Sequence, residues 1–239
     1  MANNYYVAAN VFDWARGGSR KMRLLSRLLK LVGSGIYLRA TGSTGQMTNI
    51  EQRMNLYHLL LRSAANPSIP GDVIELGTYM GETAVMLQWA LDTEAVDRPL
   101  HVYDSFEKTW GGEDPLAELK ANFEKHCGTQ PVIHAGRFDK TLPDELPEAI
   151  CFAHIDCGYG GPEDELADTV NFLLQQIYPR MHAGAICVLM DYSHPQLDRD
   201  KNNLNSGAQV GTDRFLDDKP EKPVSLYAEN YCHAYFVRQ

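Results

Sequence analysis

The residues of this sequence best placed for chemistry stand in a glycine-containing turn and in acids that follow predicted strands. Strand Val73–Leu76 leads into Gly77, and Gly81 follows four residues later, directly before a predicted helix. Glycine lacks a Cβ and adopts positive φ readily, so such a turn lets ligand atoms approach the backbone closely. The G-x-x-x-G spacing therefore predicts a binding turn, although glycines also serve simply to form turns between strands and helices.

A dinucleotide-binding turn is disfavoured at this position. The fingerprint G-x-G-x-x-G requires a second glycine two residues after the first, and Tyr79 stands there instead. A pyrophosphate-binding turn, and with it a nicotinamide-dependent oxidoreductase, is the weaker interpretation.

The next predicted strand ends in an acid that suits a ribose. His101–Tyr103 runs directly into Asp104, one strand–helix unit after the glycine turn. A carboxylate at this position can accept hydrogen bonds from both hydroxyls of a ribose. The plainer alternative is that Asp104 caps the following helix.

Two further acids follow the fourth and fifth predicted strands. Asp156 comes directly after Ile150–Ile155, and Asp191 follows Ala185–Met190. Because the carboxyl ends of parallel strands meet at one edge of a sheet, both carboxylates are expected at the same rim. Each also has a plainer interpretation as part of a polar loop after a strand.

The elements that must position these residues form an alternating pattern from residue 71 onward. Short apolar runs alternate with longer periodic ones, which predicts a mostly parallel sheet buried on both faces by helices. The runs are Val73–Leu76, Thr83–Leu91, His101–Tyr103, Pro115–His126, Val132–His134, Ile150–Ile155, Glu163–Ile177 and Ala185–Met190. Val224–Ala228 and Cys232–Val237 predict a closing antiparallel hairpin around Glu229-Asn230.

The first 70 residues differ from the rest in charge and in pattern. The chain has 239 residues and a net charge of −9, divided as +7 over residues 1–70 and −16 over residues 71–239. Apolar residues recur at helical spacing from Asn49 to Asn66-Pro67 and also within Arg16–Lys30. We expect a helical cover over residues 1–68, followed by a single domain over residues 69–239.

The amphipathic Arg16–Lys30 segment allows two interpretations. It can cover a site or pack on a second subunit, with Leu24–Val32 as the face of a homo-oligomer, or it can lie on an anionic membrane. We favour the first interpretation, because one short helix is a weak anchor and the rest of the chain is acidic.

Composition also limits partners and compartment. An acidic chain is a poor ligand for nucleic acid, so a neutral or cationic small molecule is the expected partner. The five cysteines are odd in number and lack CxxC spacing. Without a signal sequence or a long apolar span, this indicates reduced thiols and a cytoplasmic protein with no membrane attachment.

Several separated motifs together resemble one family of enzymes. They are Ile69–Gly77, Tyr103–Glu107, His134–Phe138 with Thr141–Pro143, and Phe152–Asp156, supported by Met47-Thr48, Gly207-Ala208 and Asp213–Phe215. In this order they resemble the macrocin and mycinamicin type of S-adenosylmethionine-dependent sugar O-methyltransferases from antibiotic pathways. The resemblance spans about residues 45–239 and implies a doubly wound, Rossmann-like class I methyltransferase fold with a seven-stranded sheet.

The resemblance also implies a set of cofactor-binding residues. Gly77, Tyr79, Gly81 and Thr83 would line the methionine part of the cofactor, and Asp104 would hold its ribose. Gly136, Arg137 and Phe138 would lie near the adenine, while Met47 and Thr48 would close over the sulfonium. Glu75, Ser105, Phe106 and Asp156 complete the expected set.

In the resembled family a divalent metal, usually Mg2+, is held by acids at the ends of the fourth and fifth strands, here Asp156 and Asp191. The sequence departs from the family pattern at two positions. Met190 replaces the first acid of an Asp-Asp pair, and Gly158 replaces the second acid of an Asp-Gly-Asp run. Two carboxylates with waters can still bind Mg2+. The alternative is a metal-free site with Asp156, His154 or His194 as general base.

The sequence therefore predicts an S-adenosylmethionine-dependent O-methyltransferase with Asp156, Asp191 and His194 as catalytic candidates. Its acceptor would be a hydroxyl of a small molecule, such as a sugar on a natural product made in antibiotic or other secondary metabolism. The competing hypothesis is a repurposed member of this fold that binds the cofactor but catalyses another reaction or none, and Met190 and Gly158 favour that alternative.

Overall fold

The computed structural model describes residues 48, 50–109, 112–193, 205–228 and 231–239. Its centre is a seven-stranded sheet with the order β3-β2-β1-β4-β5-β7-β6. The strands are β1 Asp72–Leu76, β2 Leu100–Asp104, β3 Val132–Ala135, β4 Ile150–Ile155, β5 Met181–Met190, β6 Val224–Ala228 and β7 Tyr231–Val237. The predicted segment Arg16–Lys30 lies outside the described residues.

The first five strands are parallel, and the last two form the predicted antiparallel hairpin against β5. The chain places β2 and β3 on one side of β1 and then crosses to place β4 on the other side. The strand order therefore reverses between β1 and β4. In sheets of this type, ligands bind in the crevice beyond the carboxyl ends of the strands at that point.

Helices cover both faces of the sheet. They are α1 Ile50–Ala64, α2 Glu82–Thr93, α3 Pro115–His126, the short α4 Phe138–Thr141, α5 Glu163–Ile177 and α6 Gly207–Leu216, with a 3-10 turn at Tyr178–Arg180. β4 is buried along its whole length, as expected for a central strand with helices on both faces. None of the described helices is long and apolar enough to cross a membrane.

Helix α1 belongs to the core of the sheet. Leu56, Leu60 and Ala64 are buried in the same apolar cluster as the central strands. The Ser63 hydroxyl donates to the backbone carbonyl of Cys151 on β4, so a polar group on the buried face of the helix has a partner. The helix is thereby fixed over the middle of the sheet.

Helices α5 and α6 pack backbone against backbone. A Cβ on Gly207 would overlap the carbonyl oxygen of Glu163, and one on Gly211 would overlap that of Ala167. Only glycine permits this separation, because the obstructing atoms belong to the α5 backbone and cannot rotate away. The start of α6 is thus held at a fixed distance from α5.

Gly211→Ala is expected to destabilise the fold, although alanine is the better helix former by about 1 kcal/mol. The added Cβ must push the two helices apart, and overpacking of this kind costs about 1–3 kcal/mol. Urea unfolding measures the change. The neighbouring Gln209→Ala is the control and should leave the unfolding free energy within about 0.5 kcal/mol of the wild type. A Gly211→Ala protein more stable than the wild type would contradict the packing argument.

Candidate functional site

A cleft of about 1110 Å³ opens at the carboxyl ends of β1, β2, β4 and β5. It brings together most of the residues that the sequence predicted for the site. Those lining it are Thr48, Glu75, Gly77, Tyr79, Gly81, Thr83, Asp104, Ser105, Arg137, Phe138, Asp156 and Asp191. The cleft lies where the strand order reverses, so its position agrees with the expectation for a doubly wound sheet.

Besides the general-base candidate His154, four predicted site residues are not among the cleft lining. Phe106 packs against the hydrophobic core. Gly136 follows β3, and its N–H donates to the carbonyl of Asp104 at 2.9 Å. Met47 and His194 lie outside the described residues.

The glycines of the first turn are required by the protein's own packing. Gly77 has φ +91°, and a Cβ there would overlap the carbonyl oxygen of Asp156. Gly81 begins α2 with φ +79°, and its Cβ would overlap the side chain of Leu119. Positive φ and neighbouring protein atoms therefore both favour glycine at these positions. Close approach of a ligand to the backbone of this turn stays a prediction.

Asp104 organises the loops of the cleft through its carboxylate. Its Oδ2 accepts from the N–H groups of Thr78 at 3.0 Å and Tyr79 at 2.8 Å, and its Oδ1 accepts from that of Phe106 at 2.8 Å. Burial raises the pKa of Asp104, and these backbone donors oppose the rise. The alternative that Asp104 caps the next helix is wrong, because Asp114 caps α3 by accepting from Ala117.

Strained backbone is concentrated at the cleft. Positive φ is found at Tyr79 (50°), Phe106 (56°) and Asp191 (60°), which follow the ends of β1, β2 and β5. A non-glycine residue in this region costs on the order of 1–2 kcal/mol. Such strain persists where the surrounding structure fixes the backbone, and it occurs often at functional sites.

A buried arginine fixes the entrance between α1 and α2. Arg53 is 1% exposed, and it donates from Nε to the Thr48 hydroxyl at 3.2 Å. Its Nη2 also pairs with Glu82 at 3.4 Å. Burial raises the pKa of Glu82, and the Arg53 charge opposes the rise. The interaction holds Thr48 beside the first turn of α2, where the sequence predicted part of the cofactor site.

Asp156 and Asp191 lie at the ends of the adjacent strands β4 and β5 and are close enough to influence each other's charge. Burial, and then the Asp191 charge, raise the pKa of Asp156 to about 7, while His154 opposes the rise. Burial also raises the pKa of Asp191, against a hydrogen bond from the Asn205 amide at 2.8 Å. A carboxyl group with a pKa near neutrality is suited to accept a proton.

His154 belongs to a polar seam beneath the cleft. Its Nδ1 lies 2.8 Å from Glu75 Oε1, and the histidine is fully buried and absent from the cleft lining. Burial lowers the pKa of His154, but Glu75, Asp156 and Asp191 together outweigh that and raise it. A buried imidazole cannot contact an acceptor in the cleft, so this position does not favour His154 as the general base.

The seam continues through the hairpin to α1. His233 on β7 is fully buried, and its Nε2 lies 3.1 Å from the side-chain nitrogen of Asn55 on α1. Burial, and then the charge on His154, lower the pKa of His233 to about 4. The folded protein therefore keeps His233 neutral under mild acid.

Several cleft residues were not predicted for the site. They include Lys108, Asp168, Thr169, Phe172 and Asn205, together with residues of the α1 and α2 ends. Asn205 lies in a polar stretch just before α6 with no periodicity to mark it. Tyr159 is 40% exposed, with the Lys108 ammonium 5.3 Å from its ring centre. From the sequence, Tyr159 was an aromatic side chain that could stack on a sugar or aromatic acceptor, and it lies in the cleft lining.

Comparison with known proteins agrees with this geometry. The family model Macrocin-O-methyltransferase (TylF) matches residues 41–118, which include the first turn and Asp104. Mycinamicin III 3''-O-methyltransferase of Micromonospora griseorubida is 26% identical over 175 residues. The resemblance stated for the sequence is confirmed. The match covers 62% of this chain and 65% of the relative's own length.

Solved structures share the fold at low sequence identity. The O-methyltransferase NovP superposes with a TM-score of 0.63 at 18% identity, covering 84% of this chain and 85% of its own. An O-methyltransferase from Bacillus cereus in complex with SAH has a TM-score of 0.57 at 11% identity, covering 99% and 100%. The TDP-rhamnose 3'-O-methyltransferase CalS11 has a TM-score of 0.52 at 19% identity, covering 92% and 95%. The chain thus shares the Rossmann-like fold of these structures.

Mild acid is expected to destabilise the protein through His233. The pKa of His233 is about 4 in the folded protein, against the ordinary value of 6.5 in the unfolded chain. Between these pH values the unfolded chain therefore binds more protons than the folded protein. Stability is complete above pH 6.5 and falls as the pH drops towards 4, by about 2 kcal/mol between pH 7 and pH 5.

Urea unfolding of the wild type and His233→Gln at both pH values isolates this contribution, because the variant should lose less stability on acidification. His182→Gln, at an exposed histidine of β5, should behave like the wild type. Identical pH dependence in the wild type and His233→Gln would contradict the assignment.

Proposed function

We propose that this protein transfers the methyl group of S-adenosylmethionine to a hydroxyl of a sugar carried by a natural product, as an enzyme of antibiotic or other secondary metabolism. The observation that carries the proposal is the position of the family match. Residues 41–118 contain the first turn and Asp104, and the same residues line one cleft at the reversal of strand order. The acidic composition and the odd number of cysteines without CxxC spacing support a cytoplasmic enzyme.

The cleft fits this cofactor at its polar atoms. Glu75 Oε2 and the Thr78 hydroxyl are buried and have no hydrogen-bond partner within the described part of the chain, and both residues line the cleft. Buried polar groups normally have partners, so a ligand bearing an ammonium group and hydroxyls would satisfy them. Gly77, Tyr79, Gly81 and Thr83 would hold the methionine part, Asp104 the ribose, and Arg137 and Phe138 the adenine.

When bound, S-adenosylmethionine supplies a methyl group already activated by the positive charge on sulfur. The protein must then align the acceptor oxygen and take up its proton. We assign proton uptake to Asp156, which lines the cleft and whose pKa is raised. The acceptor oxygen would then take the methyl group and give its proton to Asp156, while sulfur would keep the electron pair of the broken carbon–sulfur bond. Asp191 follows the adjacent strand, and its charge contributes to the raised pKa of Asp156.

The donor set does not fit a divalent cation. Within the described residues there is no group of three or more histidine, cysteine, aspartate or glutamate side chains arranged to hold a metal ion. Asp156 and Asp191 supply two carboxylates, and no step of the proposed mechanism is routed through Mg2+. Homo-oligomer formation through Leu24–Val32 stays a prediction.

The repurposed-scaffold hypothesis is favoured by Met190 and Gly158, which depart from the resembled pattern. Transfer of labelled methyl to a panel of glycosylated natural products separates the two hypotheses. An enzyme transfers the label to at least one hydroxylated acceptor. A repurposed protein binds S-adenosylhomocysteine and transfers none.

S-adenosylhomocysteine is expected to bind the wild type in calorimetry, and NAD is not. Asp104→Ala should weaken that binding about ten- to hundredfold, because hydrogen bonds to a charged group are worth about 1.5–3 kcal/mol. Asp104→Asn keeps one acceptor oxygen, so its affinity for S-adenosylhomocysteine should lie between those of the wild type and Asp104→Ala. Asp97→Ala, at an exposed acid outside the cleft, is the control. Unchanged affinity in Asp104→Ala would remove Asp104 from the cofactor site.

Asp156→Asn should nearly abolish methyl transfer, because an amide cannot accept the acceptor's proton. General-base catalysis contributes about 10²–10⁴-fold in rate, which sets the size of the loss. Calorimetry should show S-adenosylhomocysteine affinity within about threefold of the wild type, about 0.6 kcal/mol. Asp164→Asn, at an exposed acid of α5, is the control for activity. A fully active Asp156→Asn enzyme would disprove the role.

A further inference from the structure

Asn205 links two loops that line the cleft, the one after β4 and the one after β5. Its Oδ1 accepts from the N–H of Gly160 at 2.8 Å, and its Nδ2 donates to Asp191 Oδ2 at 2.8 Å. The two contacts fix the orientation of the amide, because only its oxygen can accept from an N–H and only its nitrogen can donate to a carboxylate. Asn205 therefore presents hydrogens to Asp191.

The position of Asn205 is itself fixed by helix packing. Asn205 stands two residues before Gly207, where α6 lies against the α5 backbone. The intervening Ser206 donates through its hydroxyl to Glu163 in the first turn of α5. The amide thus reaches Asp191 from a rigid support.

Asp191 needs such a support because its backbone is strained. Its φ of 60° lies in the left-handed region, which aspartate adopts at a cost. The carboxylate has about four lone-pair sites, so one N–H bond from Asn205 still leaves acceptor capacity. The bond restricts where the carboxylate points without using all of its oxygen lone pairs.

The same geometry removes the place for a third metal ligand. A Cβ at Gly158 would lie 2.5 Å from Asp191 Oδ2 and 2.6 Å from Asn205 Cγ and Nδ2, so a side chain there requires Asp191 and Asn205 to leave their present positions. Met190 is 5% exposed and offers only a thioether, a soft ligand unsuited to Mg2+. The Asn205 nitrogen has hydrogens where a cation would require a lone pair.

We propose that Asn205 is a positioning residue that holds Asp191 in place beside Asp156, and that methyl transfer at this site proceeds without a divalent cation. This inference rests on the proposed function. To that function it adds that the amide N–H of Asn205, in place of a metal ion, organises the two carboxylates.

The first experiment measures metal binding directly. Mn2+ is titrated into the wild type and into Asn205→Asp, each saturated with S-adenosylhomocysteine, and free Mn2+ is followed by electron paramagnetic resonance. The wild type should not bind Mn2+ at micromolar concentrations. Asn205→Asp replaces the N–H donor with a carboxylate oxygen beside Asp156 and Asp191. This variant should bind Mn2+ at least tenfold more tightly than the wild type does.

The second experiment separates positioning from folding. Asn205→Ala should lower kcat about ten- to hundredfold, the loss expected for a hydrogen bond to a charged group. Its affinity for S-adenosylhomocysteine should stay within twofold of the wild type. Gln209→Ala, four residues further along the chain and outside the cleft lining, should keep the wild-type kcat. Wild-type turnover should be unchanged by a chelator.

The inference is overturned if the wild type binds Mn2+ at micromolar concentration and loses its activity on chelation, or if Asn205→Ala keeps the full kcat. A wild type that binds no S-adenosylhomocysteine fails the proposed function itself and removes the basis of the inference. A wild type that binds S-adenosylhomocysteine and requires Mn2+ leaves the proposed function intact and refutes only the inference.

Discussion

The backbone of Gly77 lies against the carbonyl group of Asp156, and the geometry of the cleft depends on this contact. β1 and β4 pair directly, and the Asp156 N–H donates to the carbonyl of Leu76 at 2.9 Å. A side chain at residue 77 would separate the two strand ends. Because backbone atoms make this contact, it fixes the position of the first turn relative to Asp156, whichever rotamers the side chains adopt. Asp104 then ties the end of β2 to the same turn by accepting from the backbone N–H groups of Thr78 and Tyr79.

Below this rim, the molecule keeps ionisable groups in a nearly dry layer between the sheet and α1. Glu75, His154 and His233 are each no more than 1% exposed. Burial of polar groups is costly unless they are paired, and here Glu75 pairs with His154 while Asn55 meets His233. Replacement of one partner would leave the other without its bond, so the layer is expected to be less tolerant of substitution than the apolar core around it.

Most of the fold could be predicted from the sequence because its central strands are continuous apolar runs between periodic helices. α3, β4, α5 and β6 begin and end at the predicted residues. β5 begins four residues earlier than predicted. The prediction missed Met181–Gly184 because this segment is largely polar or exposed and pairs irregularly with β4. α4 and α6 were not predicted as helices. α4 is a single turn, and the glycines of α6 hide its helical character because they serve its packing against α5.

The site could be predicted only where its residues follow strands. Asp104, Asp156 and Asp191 could be located from the strand pattern, since the end of a parallel strand fixes a direction. Asn205 stands in a loop whose course depends on long-range packing, and no local sequence pattern records that course. The reason for Gly77 was also hidden, because the obstructing atom is the carbonyl of a residue 79 positions later.

The glycine contact between α5 and α6 extends its influence into the chemistry of the cleft. The helix that Gly207 and Gly211 hold in place is the one that carries Asn205 to Asp191, while α5 itself contributes Thr169 and Phe172 to the cleft wall. Remodelling that wall to admit a bulkier acceptor by sliding either helix would also disturb the carboxylate pair. The size of the acceptor that the cleft admits and the positions of Asp156 and Asp191 therefore depend on the same helix packing. A change in one requires a change in the other.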